Sequence, residues 1–431
     1  MSPVAPGARP SKIGPAASHA RVSRIGSAYD LLAAYHPDGV FMERDGIGVA
    51  GGASPFAFRM AIAGPQAGNA VLSPHDLLGG LEIEHDDEGA PPPFVFGSVP
   101  FDKSRTGWFQ IPNRAVRRDR EGETWAIDLV RPGEEPAPQV SERFVGRAAP
   151  LEPFSGMQIR PEPLPDAYER AVASAVERIR AGELRKVVLA RSVELVAGRE
   201  LDARPLLFRL RAAEPHGYAF AAPVDGAAVL AGASPELLVS RFGREVRANP
   251  LAGSAPRFGD ASEDAASAER LMASAKDGEE HRIVVEAIAA ALGPVCEELT
   301  WDPEPVLLET ANVWHLSTRF RGSLHEPAPH ALELVRLLHP TPAVCGEPRD
   351  AAMRLIRALE PVPRGGYAGA VGWMDANGDG TWAIALRCAR LRGDEARLFA
   401  GAGIVAGSDP AAELDETDRK FRAFLDSLRW G

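Results

Sequence analysis

At 431 residues, 45% hydrophobic and 25% charged, the chain is long enough to bury a large core and has the composition of a globular protein. A net charge of −11, with no basic block or basic amphipathic helix, excludes nucleic acid and anionic membrane as partners and leaves any anionic ligand in need of a local Arg, Lys or metal. The three cysteines, Cys296, Cys345 and Cys388, lack metal-ligand spacing and fit structural roles in a reducing cytosol, and no apolar run reaches a membrane span of about 18 residues, so a cytoplasmic location is expected.

Residues 1–20, rich in Pro, Ala, Gly and Ser, read as a disordered lead-in. From 21 to 150, short apolar segments are broken by clusters such as Gly46–Gly52 and Gly89–Pro93, the pattern of a mostly β first half. Ala148–Pro165, with five prolines, links it to a second half over 166–431 within one domain. There Asp166 caps a helix that Gly182 ends, and the strand over 185–195 follows with Lys186 near its start. Strands are expected at Tyr218–Pro223 and Ala227–Ala233, with Glu236 just beyond, then a glycine-bearing turn at Asn249–Ser254 and one long helix over Ser262–Leu292. The remainder alternates: a strand at Val313–Phe320, a helix at Ala328–Leu338, a loop at 339–346 and a helix at Arg349–Leu359. Strands at Tyr367–Met374, Thr381–Leu391 and Arg397–Val405 lead to a closing helix over Pro410–Leu428. Without regular βαβ spacing, this is an α+β architecture.

Asp409 is the expected N-cap of the closing helix, with Pro410 in its first position. At 100° per residue, Leu414, Phe421, Phe424, Leu425 and Leu428 make an apolar stripe opposite Asp415, Arg419, Arg422, Asp426 and Arg429. Glu413, Glu416 and Lys420 line its edge; taken alone they read as dipole complement and an i,i+4 pair. The Ser262–Leu292 helix repeats the pattern, with Asp277 and Glu280 projecting alongside Val284, Ile288 and Ala291 and away from Glu279, Arg282 and Glu286. Two inward carboxylate pairs are satisfied either by one hard cation, best Mg²⁺ with waters kept, or by buried bridges to Arg and Lys.

Lys186 and Glu236 are charged residues in apolar strands. Burial eases proton loss from a lysine and keeps a proton on a glutamate, so they read as base and acid across a substrate, or else as a snorkelling lysine and a capping glutamate. Along Thr381–Leu391, Arg387 shares a face with Ala383, Ala385 and Ala389, a pocket floor with an anion clamp, and Gly401 and Gly403 permit close backbone approach.

The segments KVVLAR (186–191), GASPELL (232–238), PLAGSA (250–255), SAKDGEEH (274–281), HLST (315–318), HPTPAVCG (339–346), RGGYAGAVGW (364–373), ALRCARL (385–391) and GAGIVAGSDPAAELDET (401–417) resemble the chorismate-utilising enzymes, and within them the isochorismate synthases. The likeness runs from about Ala181 to Lys420 and extends weakly to VFGSVPFD (95–102). It implies one chorismate-binding domain over 21–431, with the two packed β-sheets and surrounding helices of the anthranilate synthase component I type. The activity implied is Mg²⁺-dependent conversion of chorismate to isochorismate, by water attack at C2 with loss of the C4 hydroxyl, feeding the biosynthesis of a siderophore (2,3-dihydroxybenzoate or salicylate), with menaquinone as the other pathway left open.

By motif match the resemblance gives Lys186 the role of activating water and Glu236 that of protonating the leaving hydroxyl. Glu280 and Glu416 would hold Mg²⁺ with Asp277 and Glu413 in support through water. Tyr367, Arg387 and the Gly401 backbone would bind the enolpyruvyl carboxylate, and Gly253, Ser254 and Lys420 the ring carboxylate, with Lys420 serving the substrate rather than Glu416. His315, Ala343, Leu386 and Gly403 complete the lining. Asp277 stands where relatives often carry Glu, which favours a water-mediated role. Lys186 argues against ammonia-using relatives, and Ala343, where salicylate-forming relatives tend to have Thr, argues for isochorismate as the end product. The alternatives are a salicylate synthase and a silent ligand-binding module. The resemblance further implies a monomer whose product passes to an isochorismatase or an isochorismate-pyruvate lyase.

Overall fold

The computed structural model describes residues 19–26, 29–52, 56–61, 78–79, 81–85, 87–130, 158–225 and 228–429. Two large, mainly antiparallel sheets dominate, as the abundance of Val, Ile and aromatic residues in short runs favours. In the first sheet the strand Lys186–Val196, next to the edge strand Gln158–Glu162, pairs on its other side with Glu395–Ile404, followed by Cys388–Arg392, Ala228–Ser234 and Tyr218–Asp225. It continues into the first half of the chain through Val40–Arg44, paired to Tyr218–Asp225. The second sheet runs through Leu237–Phe242, Gly380–Ile384 and Ala370–Asp375 and reaches the first half through Phe94–Val99. Both sheets thus take strands from both halves. A three-stranded sheet of Leu251–Pro256, Val313–Ser317 and Val306–Glu309 stands beside them.

Phe96, Phe109, Phe220, Trp373 and Trp382 belong to the main core, where the two sheets face each other. A second core lies under the helices Ala203–Ala213 and Pro410–Arg429, where Leu206, Leu207 and Leu210 meet Phe421, Phe424 and Leu425. Asp409 caps the closing helix as expected, accepting from the Ala412 N–H at 2.9 Å.

Several expectations change. Residues 1–18 lie outside the described residues, and His19 and Ala20 belong to a strand, His19–Arg24, rather than to a disordered lead-in. The linker's residues 148–157 are also outside the described residues, and Gln158–Glu162 is a strand. The Gly46–Gly52 run, read as a break, contains the strand Ile47–Gly51. Helix Pro165–Arg180 starts with Pro165 and has no side-chain cap, so Asp166 sits inside its first turn. The Ala203–Ala213 helix, not singled out in the sequence, is capped by Asp202. PLAGS is not a turn: Leu251–Pro256 is a strand with a bulge at Gly253, whose φ of 75° favours glycine.

The long helix is two, Ala261–Ala273 and Ala275–Leu292, divided at Ser274, whose extended backbone (φ −73°, ψ 111°) ends one and whose hydroxyl caps the other by accepting from the Asp277 N–H at 3.2 Å. No glycine or proline stands between Leu271 and Asp277, so nothing in the sequence marked the break. Thr381–Leu391 is likewise two strands in different sheets, Gly380–Ile384 and Cys388–Arg392. The alternation argument for Arg387 therefore fails: Arg387 lies in the link, with φ 47°.

Candidate active site

Two such links build the site. The chain passes from the first sheet to the second at Pro235–Glu236 and returns at Ala385–Arg387, and the two crossings are bonded side by side. The Ile384 N–H donates to the Glu236 carbonyl at 3.1 Å, and the Ala233 N–H to the Arg387 carbonyl at 3.2 Å. A side chain at a crossing is freed from the pleat, and Glu236 and Arg387 both line one cleft between the sheets' ends. Its floor is the strand pair Lys186–Val196 and Glu395–Ile404, where Val188 lies opposite Gly403 and Ala190 opposite Gly401.

One end of the cleft is acidic. Lys186, fully buried, places Nζ 3.0 Å from Glu280 Oε1, although that contact lacks hydrogen-bond geometry and Nζ finds no better partner among the described residues. Glu280 lies so close to the floor that a Cβ on Gly403 would sit 1.8 Å from its Oε1, which explains the glycine. Glu416 accepts from Lys420 Nζ at 2.7 Å, and Lys420 also donates to the Gly401 carbonyl at 2.8 Å. Burial opposes ionisation of Glu416, but Lys420, with help from Lys276 and Ser254, outweighs it and its carboxyl titrates below the usual range. Glu413, almost fully buried, is bound by Lys276 Nζ at 2.6 Å; burial and the nearby Glu416 nevertheless raise its pKa. Asp277 is engaged by the Ser274 hydroxyl, and burial raises its carboxyl too.

Glu236 stands between the two ends. Burial pushes its carboxyl up to about 8, against a backbone hydrogen bond from Leu251 and the charges of Lys186 and Lys420, so it holds a proton at neutral pH.

The other end is built on Arg387. Its guanidinium donates through Nη1 to Glu214 Oε1 at 2.6 Å and through Nη2 to Thr310 Oγ1 and His315 Nε2, both at 2.8 Å. His315 is kept neutral, its pKa driven well below the usual value by burial and by Arg387 and Lys420. Tyr367 stacks on Phe399 with ring centroids 5.1 Å apart and turns its hydroxyl toward Gly401.

Of the residues singled out in the sequence, Glu236, Gly253, Ser254, Glu280, His315, Ala343, Tyr367, Leu386, Arg387, Gly401, Gly403, Glu416 and Lys420 line this cleft, although they span most of the second half. Lys186 lies beneath its floor, and Asp277 and Glu413 are set back from it. Lys420 is bonded to Glu416 here, the pairing the resemblance set aside. Glu214, Lys276 and Thr310 went unnoticed: Lys276 sits inside the quoted SAKDGEEH segment, whereas nothing in the sequence around Glu214 or Thr310 marks them out.

Among the described residues, no three His, Cys, Asp or Glu side chains converge as a closed metal cage. The fit is instead to an open site. Glu280 and Glu416 present carboxylates at the cleft surface, Gly403 leaves room beside the first, and an all-oxygen donor pair suits a hard cation completed by water and ligand oxygens.

The sequence profile of chorismate-binding enzymes matches residues 83–429. The isochorismate synthase DhbC of Bacillus subtilis is 42% identical over 346 residues, 79% of this chain and 82% of that protein. The crystal structure of a putative 2,3-dihydroxybenzoate-specific isochorismate synthase from Bacillus anthracis is 36% identical, covers 93% of this chain and 99% of its own, and superposes with a TM-score of 0.77. Anthranilate synthase component I from Streptococcus pneumoniae is 25% identical with a TM-score of 0.63, over 80% of this chain and 82% of that one.

Proposed function

We propose that this chain, which belongs to the chorismate-binding enzyme family, is an isochorismate synthase that moves the hydroxyl of chorismate from C4 to C2. The observation that carries the reading is a cleft whose lining includes a glutamate still protonated at neutral pH, with the ammonium of Lys186 buried beneath its floor, near enough to act on that carboxyl through its charge. Lys186 takes a proton from the water that attacks C2, and Glu236 gives its proton to the departing C4 hydroxyl. One water enters, its proton going to Lys186 and its hydroxyl to C2, and one leaves, made of the C4 hydroxyl and the Glu236 proton, so the product is an isomer of the substrate and the two side chains exchange one proton with solvent to reset.

At the far end Arg387 and Tyr367 bind the enolpyruvyl carboxylate against the Gly401 backbone, whose missing Cβ allows the approach. Glu280 and Glu416 would hold Mg²⁺, which supplies positive charge to the ring carboxylate, while Asp277 and Glu413 keep the surroundings acidic. Gly253, Ser254 and Lys420 flank that carboxylate, and His315 and Leu386 complete the wall. Ala343 offers a methyl where a hydroxyl would be needed to assist further elimination, which supports isochorismate as the end product. The dihydroxybenzoate-specific relative supports a place ahead of a siderophore's catechol, with an isochorismatase downstream. Among the described residues no helix is long and apolar enough to cross a membrane, in keeping with a small-molecule enzyme of the cytoplasm.

The test is mass and ultraviolet analysis of the product formed from chorismate and Mg²⁺ by the purified protein. Isochorismate without release of pyruvate is expected; salicylate plus pyruvate as the main products, or anthranilate when ammonia is supplied, would overturn the reading.

A further inference from the structure

Glu214 follows the helix Ala203–Ala213 and does not line the active-site cleft. It lines a neighbouring surface cleft, beside Phe208 and Arg211, and reaches Arg387 from behind. Its Oε1 accepts from Arg387 Nη1 at 2.6 Å, and both of its oxygens lie 3.3 Å from the Ala311 N–H. Thr310, in the same loop, accepts from Arg387 Nη2 and donates to the Val313 carbonyl at 2.6 Å. The neutral ring of His315 takes the second Nη2 contact.

Three of the five guanidinium N–H groups are thereby committed among the described residues, two of them to neutral acceptors. What remains for a ligand is Nε–H and one N–H of Nη1, and the groups behind decide which edge faces the cleft. Arg387 itself sits in a left-handed link with φ 47°, where the bond from the Ala233 N–H to its carbonyl ties the main chain but leaves the side chain free of the pleat. Its orientation therefore depends on side-chain partners, and Glu214 alone among the three binds both the guanidinium and the loop that carries another of its acceptors.

We propose that Glu214 is a positioning residue: it fixes the guanidinium of Arg387, together with the 310–311 loop, in the orientation that receives the side-chain carboxylate of the substrate. The inference rests on the reading of Arg387 as the clamp for that carboxylate. Because Glu214 is outside the cleft, whatever it does to binding passes through Arg387. Its negative charge beside an anion site is tolerable only if orientation outweighs repulsion.

The experiment compares wild type, Glu214→Ala and Glu214→Asp by chorismate kinetics and by calorimetry with two stable probes: benzoate, and a benzoate bearing a carboxyvinyl ether. For Glu214→Ala, KM for chorismate and Kd for the ether are expected to rise about tenfold, with kcat within about twofold and benzoate binding unchanged. Glu214→Asp keeps the charge on a shorter arm, and should show a selective loss of several-fold, including when the alanine variant does not fold. Unchanged or tighter ether binding in Glu214→Asp, or equal losses for both probes, would overturn the proposal. A wild-type protein that leaves chorismate untouched sinks the catalytic reading instead, and the two-probe comparison still decides the role of Glu214.

Discussion

The two ends of the cleft solve the burial of charge in opposite ways. At the acidic end each of three carboxylates is met by an ammonium: Glu280 by Lys186, Glu413 by Lys276 and Glu416 by Lys420. At the other end one guanidinium is held by one carboxylate and two neutral acceptors. Ammonium groups on flexible stems are point charges that can yield to a dication or an incoming anion, whereas a guanidinium fixed at three N–H groups is a template. The acidic end is thus arranged to change partners and the arginine end to stay as it is.

This contrast can be broken most severely at Gly403. Gly403→Ala puts a methyl 1.8 Å from Glu280 Oε1 and must displace that carboxylate. Turnover should fall about 100-fold or more with the response to Mg²⁺ blunted, while calorimetric binding of the carboxyvinyl ether at the arginine end changes little. Equal loss at both ends would mean that the cleft behaves as one unit.

Arg387→Ala is the converse. The loss of charge-assisted hydrogen bonds should raise KM by about 10- to 100-fold and leave the Mg²⁺ dependence as it was, as substrate and metal titrations of initial rate would show.

Glu236, between the ends, sharpens the comparison through pH. Its folded-state pKa of about 8 lies above the ordinary carboxylate value of 4.5, so the native protein holds a proton that the unfolded chain has lost over that window. Stability therefore declines as pH rises from about 4.5 to 8 and levels off above, and kcat/KM falls as pH passes about 8 because the donor loses its proton. Thermal melts across this range should show the decline in wild type and a flatter line in Glu236→Gln. An unaltered slope would remove Glu236 as its source.

The smallest effect belongs to Ser274, which caps the helix bearing Asp277 and Glu280. Ser274→Ala should cost about 1 kcal/mol in urea unfolding and weaken Mg²⁺ affinity only slightly, since Glu280 is held by its own contacts with Lys186 and the floor.

Part of the site was legible because it breaks a local rule. Lys186 opens an apolar strand, and Glu280 is buried on a helix whose Glu279 and Glu286 are exposed, whereas Glu413 and Glu416 alone read as a dipole complement and an i,i+4 partner and gained weight only beside the matching pair Asp277 and Glu280. What escaped was backbone that changes sheets. Gly380–Ile384 and Cys388–Arg392 read as one strand because both keep a period of two, and the link holding Arg387 leaves no mark in composition. The Ser274 break was hidden because no glycine or proline marks it. Glu214 could not have been found, because its meaning lies in a contact made 173 residues away in sequence.

The central claim is that Lys186 and Glu236 act as base and acid on one bound molecule. Single-turnover conversion of chorismate by Lys186→Ala and by Glu236→Gln, with substrate affinity measured separately by calorimetry, tests it most directly. Each variant should bind chorismate within a few-fold of wild type and turn it over about 100- to 10,000-fold more slowly. A variant of either residue that binds and converts chorismate at the wild-type rate would contradict the claim.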